Sequence, residues 1–460
     1  MLYYDLVIKN AAIVDLEKGI ISKGSIGINS GKISIIINEN MVGKDEIDAK
    51  GNIVCPGFID VHGHIDGHLN GAELSVLQGV TTTVGGNCGC GPIDLKSFFR
   101  EQDEKGFLIN QAQFIGHSFS LRGKVGITSP YVAASEKEIN QMCQLAEKAF
   151  NEGAIGLSFG LEYAPGSSFE EVIALSQVAA KYNKLISIHT RLSAPDDLES
   201  LKEAVKISKM TGAAVLVSHF VYQYGTGIMT EALEIVDCAR RNGINIWIDS
   251  GMYTSFATSI GTSVYDEEHI RKFGWKLKDM LVATGKYKGR KLDDSLYKEL
   301  RQHHGSETVI CFTGVEEEIY EALLKDYAML SSDADPCTSI SVEAGHPQNA
   351  GTFPRLFHKM VREKGLISLV EAVRKCTLLP ATVLGLKNKG RMCVGADADL
   401  VVFNEKLIKD TADFLNRGKP NARPEGIEYV IVNGEIVVEK GNLIKGVLPG
   451  KPLPMNEGPK

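Results

Sequence analysis

Two features of the sequence predict an α/β fold: a (β/α)8 TIM barrel with a small β-sandwich domain formed by both chain ends. Between residues 53 and 331, eight short apolar runs alternate with helix-like stretches. This alternation is typical of a parallel sheet with crossover helices, and eight units favour a closed barrel. Each end of the chain carries short, partly alternating apolar runs, too few for a stable sheet of its own. A single small domain built from both ends is therefore the simplest prediction.

The predicted barrel strands are rich in apolar and β-branched residues, as expected of strands buried on both faces. They are Ile53–Val61, Val80–Val84, Gln113–His117, Ala154–Phe159, Leu185–His189, Ala214–His219, Ile244–Asp249 and Tyr327–Ser331. Helical patterns lie between most of these strands and are clearest at Glu136–Asn151, Phe169–Tyr182, Leu198–Met210 and Glu231–Asn242.

One connection is too long to join two barrel elements directly. It runs from Tyr253 to Asp326 and contains helix patterns and the strand-like Thr308–Phe312. We therefore predict an insertion over the barrel mouth, around residues 253–326. Its internal arrangement does not follow from the sequence.

The terminal segments predict hairpins of the small domain. Gly24–Ile28 and Ile33–Ile37 flank a turn signal, and Ile427–Val432 and Glu435–Val438 flank an Asn-Gly pair, which is typical of a tight hairpin. We expect a loose tail at the proline-rich end, which contains Pro449, Pro452, Pro454 and Pro459. The predicted domains are 1–54 for the first part of the β-sandwich, 55–385 for the barrel with its insertion, and 386–460 for the second part plus the tail.

The composition favours a cytoplasmic enzyme over a nucleic-acid or membrane protein. The 460 residues are 43% hydrophobic and 23% charged, which is ordinary for a protein with a large core, and the net charge of −7 offers no basic footprint. The sequence shows neither a signal-peptide pattern nor the roughly 20-residue apolar run of a membrane helix. The nine cysteines are scattered, which suits free thiols in a reducing compartment.

Two histidines end the first predicted barrel strand. His62 and His64 are two residues apart, so in an extended chain their side chains leave the same face. At the carboxyl end of a barrel strand, two imidazoles aimed at one point make half of a site for a metal such as zinc. Two unrelated histidines, one of them in a core, would show the same spacing. The residues at the other strand ends therefore decide whether a metal site is present.

Further candidate ligands follow the carboxyl ends of four other strands, and in a barrel these ends share one rim. They are Cys88, His189, His219 and Asp333. Zinc accepts nitrogen and thiolate ligands and lowers the pKa of a bound water to about 7. A carboxylate beside such a water can act as general base. Six suitable residues at five strand ends favour a catalytic metal site over chance.

Several motifs resemble one enzyme superfamily. P-G-F-I-D-V-H-G-H at 56–64 resembles the first metal motif of the amidohydrolase superfamily. Other motifs resemble its N-acyl-D-amino-acid deacylase (D-aminoacylase) branch, namely G-N-C-G at 86–89, G-L-S-F-G-L-E-Y-A-P-G at 156–166, H-T-R at 189–191, S-H-F at 218–220, S-S-D-A at 331–334 and G-H-P-Q-N-A-G-T-F-P-R at 345–355. The resemblance covers nearly the whole chain and is weakest over 253–326.

The resemblance implies a zinc-dependent hydrolase that cleaves a C–N amide bond, with one tight zinc site and a second, weaker one. In that branch the tight zinc would be held by Cys88, His189 and His219. The second site would use the histidine pair of the first strand. Asp333 would be the general base and would also touch the second metal.

The resemblance also separates linear from cyclic substrates. Cyclic-amide enzymes of the superfamily, such as hydantoinases and dihydroorotases, carry a carboxylated lysine on the fourth strand that bridges two metals. The fourth strand here reads A-I-G-L-S-F-G and has no lysine. The leading hypothesis is therefore hydrolysis of an N-acyl-D-amino acid or a related small linear amide, and a cyclic amide or ureide is the alternative.

Two positions depart from the deacylase pattern. The branch places a lysine and an arginine where this chain has Val221 and Gln348, and both grip the amino-acid carboxylate. Losing them removes charge-assisted hydrogen bonds worth about 1.5–3 kcal/mol each. Arg191, Arg122 or Lys276 could compensate, or the acid half of the substrate is neutral, smaller or cyclic.

Pocket walls are also expected near the strand ends. Tyr163, Tyr222 and Tyr253 are candidates for substrate contacts, together with Arg191 and Gln348. The partner is then a small-molecule amide, with neither nucleic acid nor membrane involved. A non-enzymatic relative would be expected to lack ligands, whereas this chain retains six. The sequence does not decide between a monomer and a homo-oligomer.

Overall fold

A computed structural model describes residues 3–455 and contains an eight-stranded parallel sheet flanked by helices. This sheet is the predicted barrel. Neighbouring strands follow the order of the chain, with Leu185 paired to Gly156 and Ile186 to Val215 in parallel register. Its strands are Phe58–Asp60, Val80–Gly85, Asn110–Gly116, Gly156–Gly160, Leu185–His189, Val215–Val217, Ile246–Ser250 and Ala328–Leu330.

Hydrogen bonds just beyond the strand ends join the eighth strand to the first. The Asp333 amide donates to the His62 carbonyl at 2.8 Å, and the His64 amide donates to the Ala334 carbonyl at 2.7 Å. The buried Asp60 carboxylate also accepts the Ser332 amide at 3.0 Å. These bonds bring the residues after the first and eighth strands side by side at the rim.

The run Ile53–Val61 is not one strand, and this part of the prediction is wrong. Ile53–Pro56 pairs antiparallel with Leu400–Phe403 in the other large sheet, whereas Phe58–Asp60 begins the barrel. The chain changes sheets at Gly57. A Cβ atom there would lie 2.1 Å from Thr81 Oγ1, so only glycine fits this crossing. An apolar run buried throughout does not reveal such a break.

Helices cover the barrel, and the four clearest predicted helices are confirmed within two residues at each end. Ser135 and Glu138 form a capping box that fixes the start of one of them. The helices that follow successive barrel strands are Leu69–Leu77, Leu95–Lys105, Glu136–Asn151, Phe169–Lys181, Glu199–Thr211, Met229–Arg241, Glu316–Leu324 and Leu369–Cys376. Further helices lie at Asn87–Gly89, His117–Leu121, Arg122–Lys124, Phe220–Tyr224, Gln348–Leu356, Phe357–Glu363 and Leu378–Val383. Within residues 3–455, no helix is long and apolar enough to span a membrane.

The small domain is built from both chain ends, as predicted. Buried side chains from both ends, including Ile8, Ile28, Leu400 and Ile431, pack in one cluster, so neither end would bury its core alone. Its nine-stranded sheet contains Tyr3–Asp15, Ile20–Asn29, Lys32–Ile37, Val42–Asp48, Ile53–Pro56, Leu400–Phe403, Ile427–Val432, Glu435–Glu439 and Asn442–Leu443.

The segment after Tyr253 forms a three-stranded antiparallel sheet. Its strands are Ser255–Ser259, Met280–Val282 and Thr308–Phe312, with helices at Ser263–Tyr265, Glu267–Lys272, Leu277–Asp279 and Asp294–His303. Ser263 Oγ donates to the Glu162 carbonyl at 2.7 Å, which ties this segment to the loop after the fourth barrel strand. The helix Glu316–Leu324 instead packs against the barrel helix Met229–Arg241. We refer to residues 253–314 as the insertion.

The proline-rich end is not loose as far as residue 455, which corrects the prediction. The Gly450 amide donates to the Phe107 carbonyl at 2.8 Å, and the Leu453 amide donates to the Gln111 carbonyl at 2.7 Å. The segment thus runs along the start of the third barrel strand. The local composition suggests a tail because it cannot show these pairings, which are formed with residues more than 300 positions earlier in the chain. Pro459 lies outside the described residues.

We expect Gly57→Ala to lower the free energy of unfolding by about 1–3 kcal/mol, because the added methyl overlaps Thr81. Thermal unfolding followed by circular dichroism measures the loss. Gly123→Ala is the matched control, since Gly123 lies in a helix with open space around it. Equal unfolding midpoints for the two variants would contradict the steric account of the crossing.

Candidate metal centre

All six candidate ligands lie at the carboxyl rim of the barrel. Parallel closure brings the five strand ends together there, and the loops that carry the ligands follow these ends directly. The six side chains are His62, His64, Cys88, His189, His219 and Asp333.

The Cys88 sulfur contacts three of the histidines, and the ligand atoms of Cys88, His62 and His219 all lie within 4.8 Å of one another. Cys88 Sγ lies 3.3 Å from His62 Nε2, 3.6 Å from His189 Nδ1 and 3.5 Å from His219 Nε2. Zinc bond lengths of about 2.3 Å to sulfur and 2.0–2.1 Å to nitrogen place tetrahedral ligand atoms about 3.5 Å apart. The observed spacing therefore fits a zinc ion held between thiolate and imidazoles.

A carboxylate behind His189 fixes which of its ring nitrogens faces the cysteine, and a second carboxylate lies behind His62 and His219. His189 Nε2 lies 2.6 Å from Glu162 Oε2, which leaves Nδ1 to face Cys88. His62 Nδ1 lies 3.6 Å from Asp249 Oδ2, and Asp249 Oδ1 accepts the His219 amide at 2.8 Å. Partners of this kind commonly orient metal-bound histidines and make them more basic.

Burial favours the neutral forms of Cys88 and His219. It raises the pKa of the Cys88 thiol well above its ordinary value. Burial, together with the neighbouring His189, lowers the pKa of His219 well below its ordinary value. Neutral imidazoles are ready to bind a metal, and a bound cation would deprotonate the thiol.

A second group of ligands shares His62 with the first. His64 Nε2 lies 3.2 Å and His62 Nε2 3.7 Å from Asp333 Oδ1. His62 thus stands between the two groups, whereas the resemblance assigned it to the second site alone. Burial by itself would raise the pKa of Asp333, but the hydrogen bond from His64 and the adjacent His219 and His62 hold it well below the usual range. The carboxylate is therefore ionised.

Backbone strain marks the same residues. Cys88, His219 and Asp333 have positive φ angles of 52°, 32° and 53°. Non-glycine residues in this region cost of order 1–3 kcal/mol each and persist where the surroundings impose them. Here the strain aims three ligand side chains at the rim.

A cavity beside the centre separates the predicted substrate contacts into two sets. Tyr163 and Tyr222 line it, with the Tyr163 ring centroid 4.7 Å from that of His189. Gln348 lies just behind: it accepts a hydrogen bond from Tyr222 Oη at 2.9 Å and donates to the Asp333 carbonyl at 2.7 Å. The oxygen and the nitrogen of the Gln348 side-chain amide are therefore both engaged in hydrogen bonds within the protein.

Arg191 and Tyr253 are placed elsewhere. Arg191 Nε donates to Glu203 Oε2 at 2.8 Å, and its side chain lines a separate cleft next to the cavity. Tyr253 is buried against His346, with ring centroids 5.1 Å apart, and donates to the Pro347 carbonyl at 3.3 Å. Contacts with partners remote in the sequence hold both side chains outside the cavity lining.

The two other cations considered as substitutes for the missing clamp are also engaged or remote. Arg122 is buried and donates to Glu171 Oε1 at 2.6 Å. Lys276 is exposed on the insertion.

Sequence reasoning missed the carboxylates that support the ligands. Asp249 ends the seventh predicted strand, so its position alone could have identified it. Glu162 stands in the G-L-E-Y motif, and its Oε1 also lies 3.2 Å from His269 Nε2 of the insertion. That contact depends on how the insertion folds back, which the sequence pattern does not show.

Comparison with known proteins identifies the family. The family model described as "Amidohydrolase family" matches residues 53–437. The chain belongs to the amidohydrolase family. The match spans the barrel together with the strands on both sides of it, so it includes every candidate ligand of the metal centre.

Individual relatives match over nearly their whole length. An N-acyl-D-glutamate deacylase of Alcaligenes xylosoxydans xylosoxydans is 30% identical over 94% of this chain and 93% of its own. A D-aminoacylase of the same organism is 28% identical over 94% of both chains. The crystal structure of N-acyl-D-glutamate deacylase from Bordetella bronchiseptica, complexed with zinc and a phosphonate inhibitor, superposes with a TM-score of 0.88. Its identity is 27%, over 98% of this chain and 100% of that one.

We expect Cys88→Ser to lower zinc affinity by more than about a hundredfold, because even the partners behind a ligand contribute 10–100-fold. Zinc content after dialysis against a chelator series, measured by mass spectrometry, provides the readout. Cys90→Ser is the control, since Cys90 lies in the same loop but outside the ligand group. Unchanged zinc retention by Cys88→Ser would remove the thiolate from the site.

Proposed function

We propose that this amidohydrolase is a zinc-dependent hydrolase of the C–N bond in an N-acyl-D-amino acid or a related small linear amide. The observation that carries the proposal is the convergence of Cys88 Sγ with three imidazole nitrogens beside the ionised Asp333. The names of the relatives, which include deacylases of N-acyl-D-amino acids, support the substrate class.

Two groups of side chains would hold the metal. Cys88, His189 and His219 would hold one zinc tightly, with His62 close enough to join them. His62, His64 and Asp333 would form the second, weaker site. When bound, zinc acts as a Lewis acid and lowers the pKa of a coordinated water.

Asp333 is the group that moves the proton. Its carboxylate accepts a proton from the attacking water as the new C–O bond forms, and returns it to the leaving nitrogen as the C–N bond breaks. His64, 3.2 Å from Oδ1, holds the carboxylate toward the centre. Glu162 keeps the His189 ring in a fixed orientation, and Asp249 accepts the backbone amide of His219.

The fourth barrel strand supports a linear substrate over a cyclic amide or ureide. Gly156–Gly160 reads G-L-S-F-G, so it offers no lysine to bridge two metals. Its Ser158 hydroxyl instead accepts the Gly89 amide at 3.0 Å and supports the cysteine loop. Ser158 thereby ties the fourth strand to the loop that carries Cys88.

The direct test is release of free amine by the zinc-loaded protein from N-acetyl- and N-formyl-D-amino acids, with L-enantiomers, hydantoin and dihydrouracil alongside. We expect turnover of D-configured linear amides by the natural chain.

Asp333→Asn should lower kcat by about 10²–10⁴ because the proton acceptor is removed.

Asp335→Asn is the matched control, two residues away. Its Oδ1 accepts the Cys337 amide at 2.7 Å, a bond that asparagine preserves. Near-normal kcat in Asp335→Asn with a deficient Asp333→Asn supports the assignment. Full activity of Asp333→Asn would refute the base, and ring opening without any linear turnover would refute the substrate class.

A further inference from the structure

The cavity beside the metal centre has an aromatic and aliphatic roof. Phe256, Phe273 and Trp275 of the insertion line it, with Trp275 ring centroids 5.3 Å from Phe256 and 4.7 Å from Phe273. Leu192 and Val264 complete the apolar surface. A substrate positioned at the rim would therefore place its remote part against these side chains.

The charges that face the cavity are negative. Among the described residues that line it, the charged side chains besides the candidate histidines are Glu162 and Asp333. Glu162 is paired with His189 and His269, and Asp333 with His64. A substrate carboxylate turned away from the metals would lose its hydration and meet no lysine or arginine on this lining.

Gln348, which contacts the backbone of the general base, is also neutral and fully engaged. Gln348 is buried, with Oε1 bound to Tyr222 and Nε2 bound to the Asp333 carbonyl. Burial, followed by the field of Asp333, raises the pKa of Tyr222 well above its ordinary value, so its hydroxyl stays neutral. This linkage offers a substrate no positive charge.

We propose that the substrate is an amide whose part beyond the scissile bond carries no negative charge, such as an N-acyl derivative of an apolar amino-acid amide or amine. The proposal rests on the proposed function and narrows its substrate class. Selection comes from the insertion roof and from the absence of a cation among the described lining residues. Arg191 lies in the neighbouring cleft and is paired with Glu203.

A pair of substrates that differ only in charge tests this inference. N-acetyl-D-leucinamide and N-acetyl-D-leucine have nearly the same shape, but only the second carries a carboxylate at neutral pH. We expect kcat/KM for release of acetate from the amide to exceed that from the acid at least tenfold. A preference for the acid would overturn the inference while leaving zinc-dependent amide hydrolysis intact.

Binding can be read without turnover from the two tryptophans of the chain. Trp247 lies on the seventh barrel strand, outside the cavity lining, so Trp247→Phe leaves Trp275 as the only tryptophan, which can be excited selectively at the red edge of the absorption band. In this variant the amide should shift Trp275 emission with a Kd at least tenfold below that of the acid. Tighter binding of the acid, or no response to either compound, would overturn the inference even if neither is hydrolysed.

A charge introduced into the lining should reverse the selectivity. Thr313 lines the cavity and is half-buried, so Thr313→Lys adds a cation, and Thr313→Gln adds a neutral side chain as control. We expect the acid-to-amide ratio of kcat/KM to rise at least tenfold in Thr313→Lys relative to Thr313→Gln. Equal ratios in the two variants would show that cavity charge does not select the substrate.

Discussion

The contact between the Cys88 thiol and the imidazoles around it is the constraint on which the rest of the structure depends. Bringing these side chains within 3.3–3.6 Å requires the first, second, fifth and sixth strands to end at one rim. Two of the residues, Cys88 and His219, take left-handed backbone conformations to reach it. The closed parallel sheet provides the rigidity that holds such strain in place.

Much of the fold could be predicted because its elements have strong local patterns. The helical pattern predicted Glu136–Asn151, which in the structure begins after a capping box formed by Ser135 and Glu138, and the apolar runs predicted the strands. The break at Gly57 was missed because strands of two different sheets are apolar on both sides of it. The docking of Leu453 was missed because its partner, Gln111, is remote in sequence.

The gathering of the candidate ligands at one rim could likewise be predicted, whereas the support from Glu162 could not. Histidines, a cysteine and an aspartate at strand ends follow from the chain and from barrel geometry. Glu162 acts through contacts that appear only when the loops and the insertion are folded, whereas Asp249 ends a predicted strand and could have been recognised from that position. The same limit explains Arg191, whose place near a strand end suggested a substrate contact, but whose partner Glu203 holds it in the next cleft.

The insertion gives the metal centre its surroundings. Its Phe256, Phe273 and Trp275 form the cavity roof, and its His269 reaches Glu162 behind His189. Roof and ligand support are thus part of one segment, so changes in the insertion would affect substrate selection and ligand orientation together.

X-ray absorption at the zinc edge tests the central claim most directly. Protein loaded with one equivalent of zinc should show one sulfur at about 2.3 Å and two or three nitrogen or oxygen neighbours at about 2.0–2.1 Å. That result would place zinc between Cys88 and the histidines. A first shell made only of nitrogen and oxygen would contradict a centre built on Cys88.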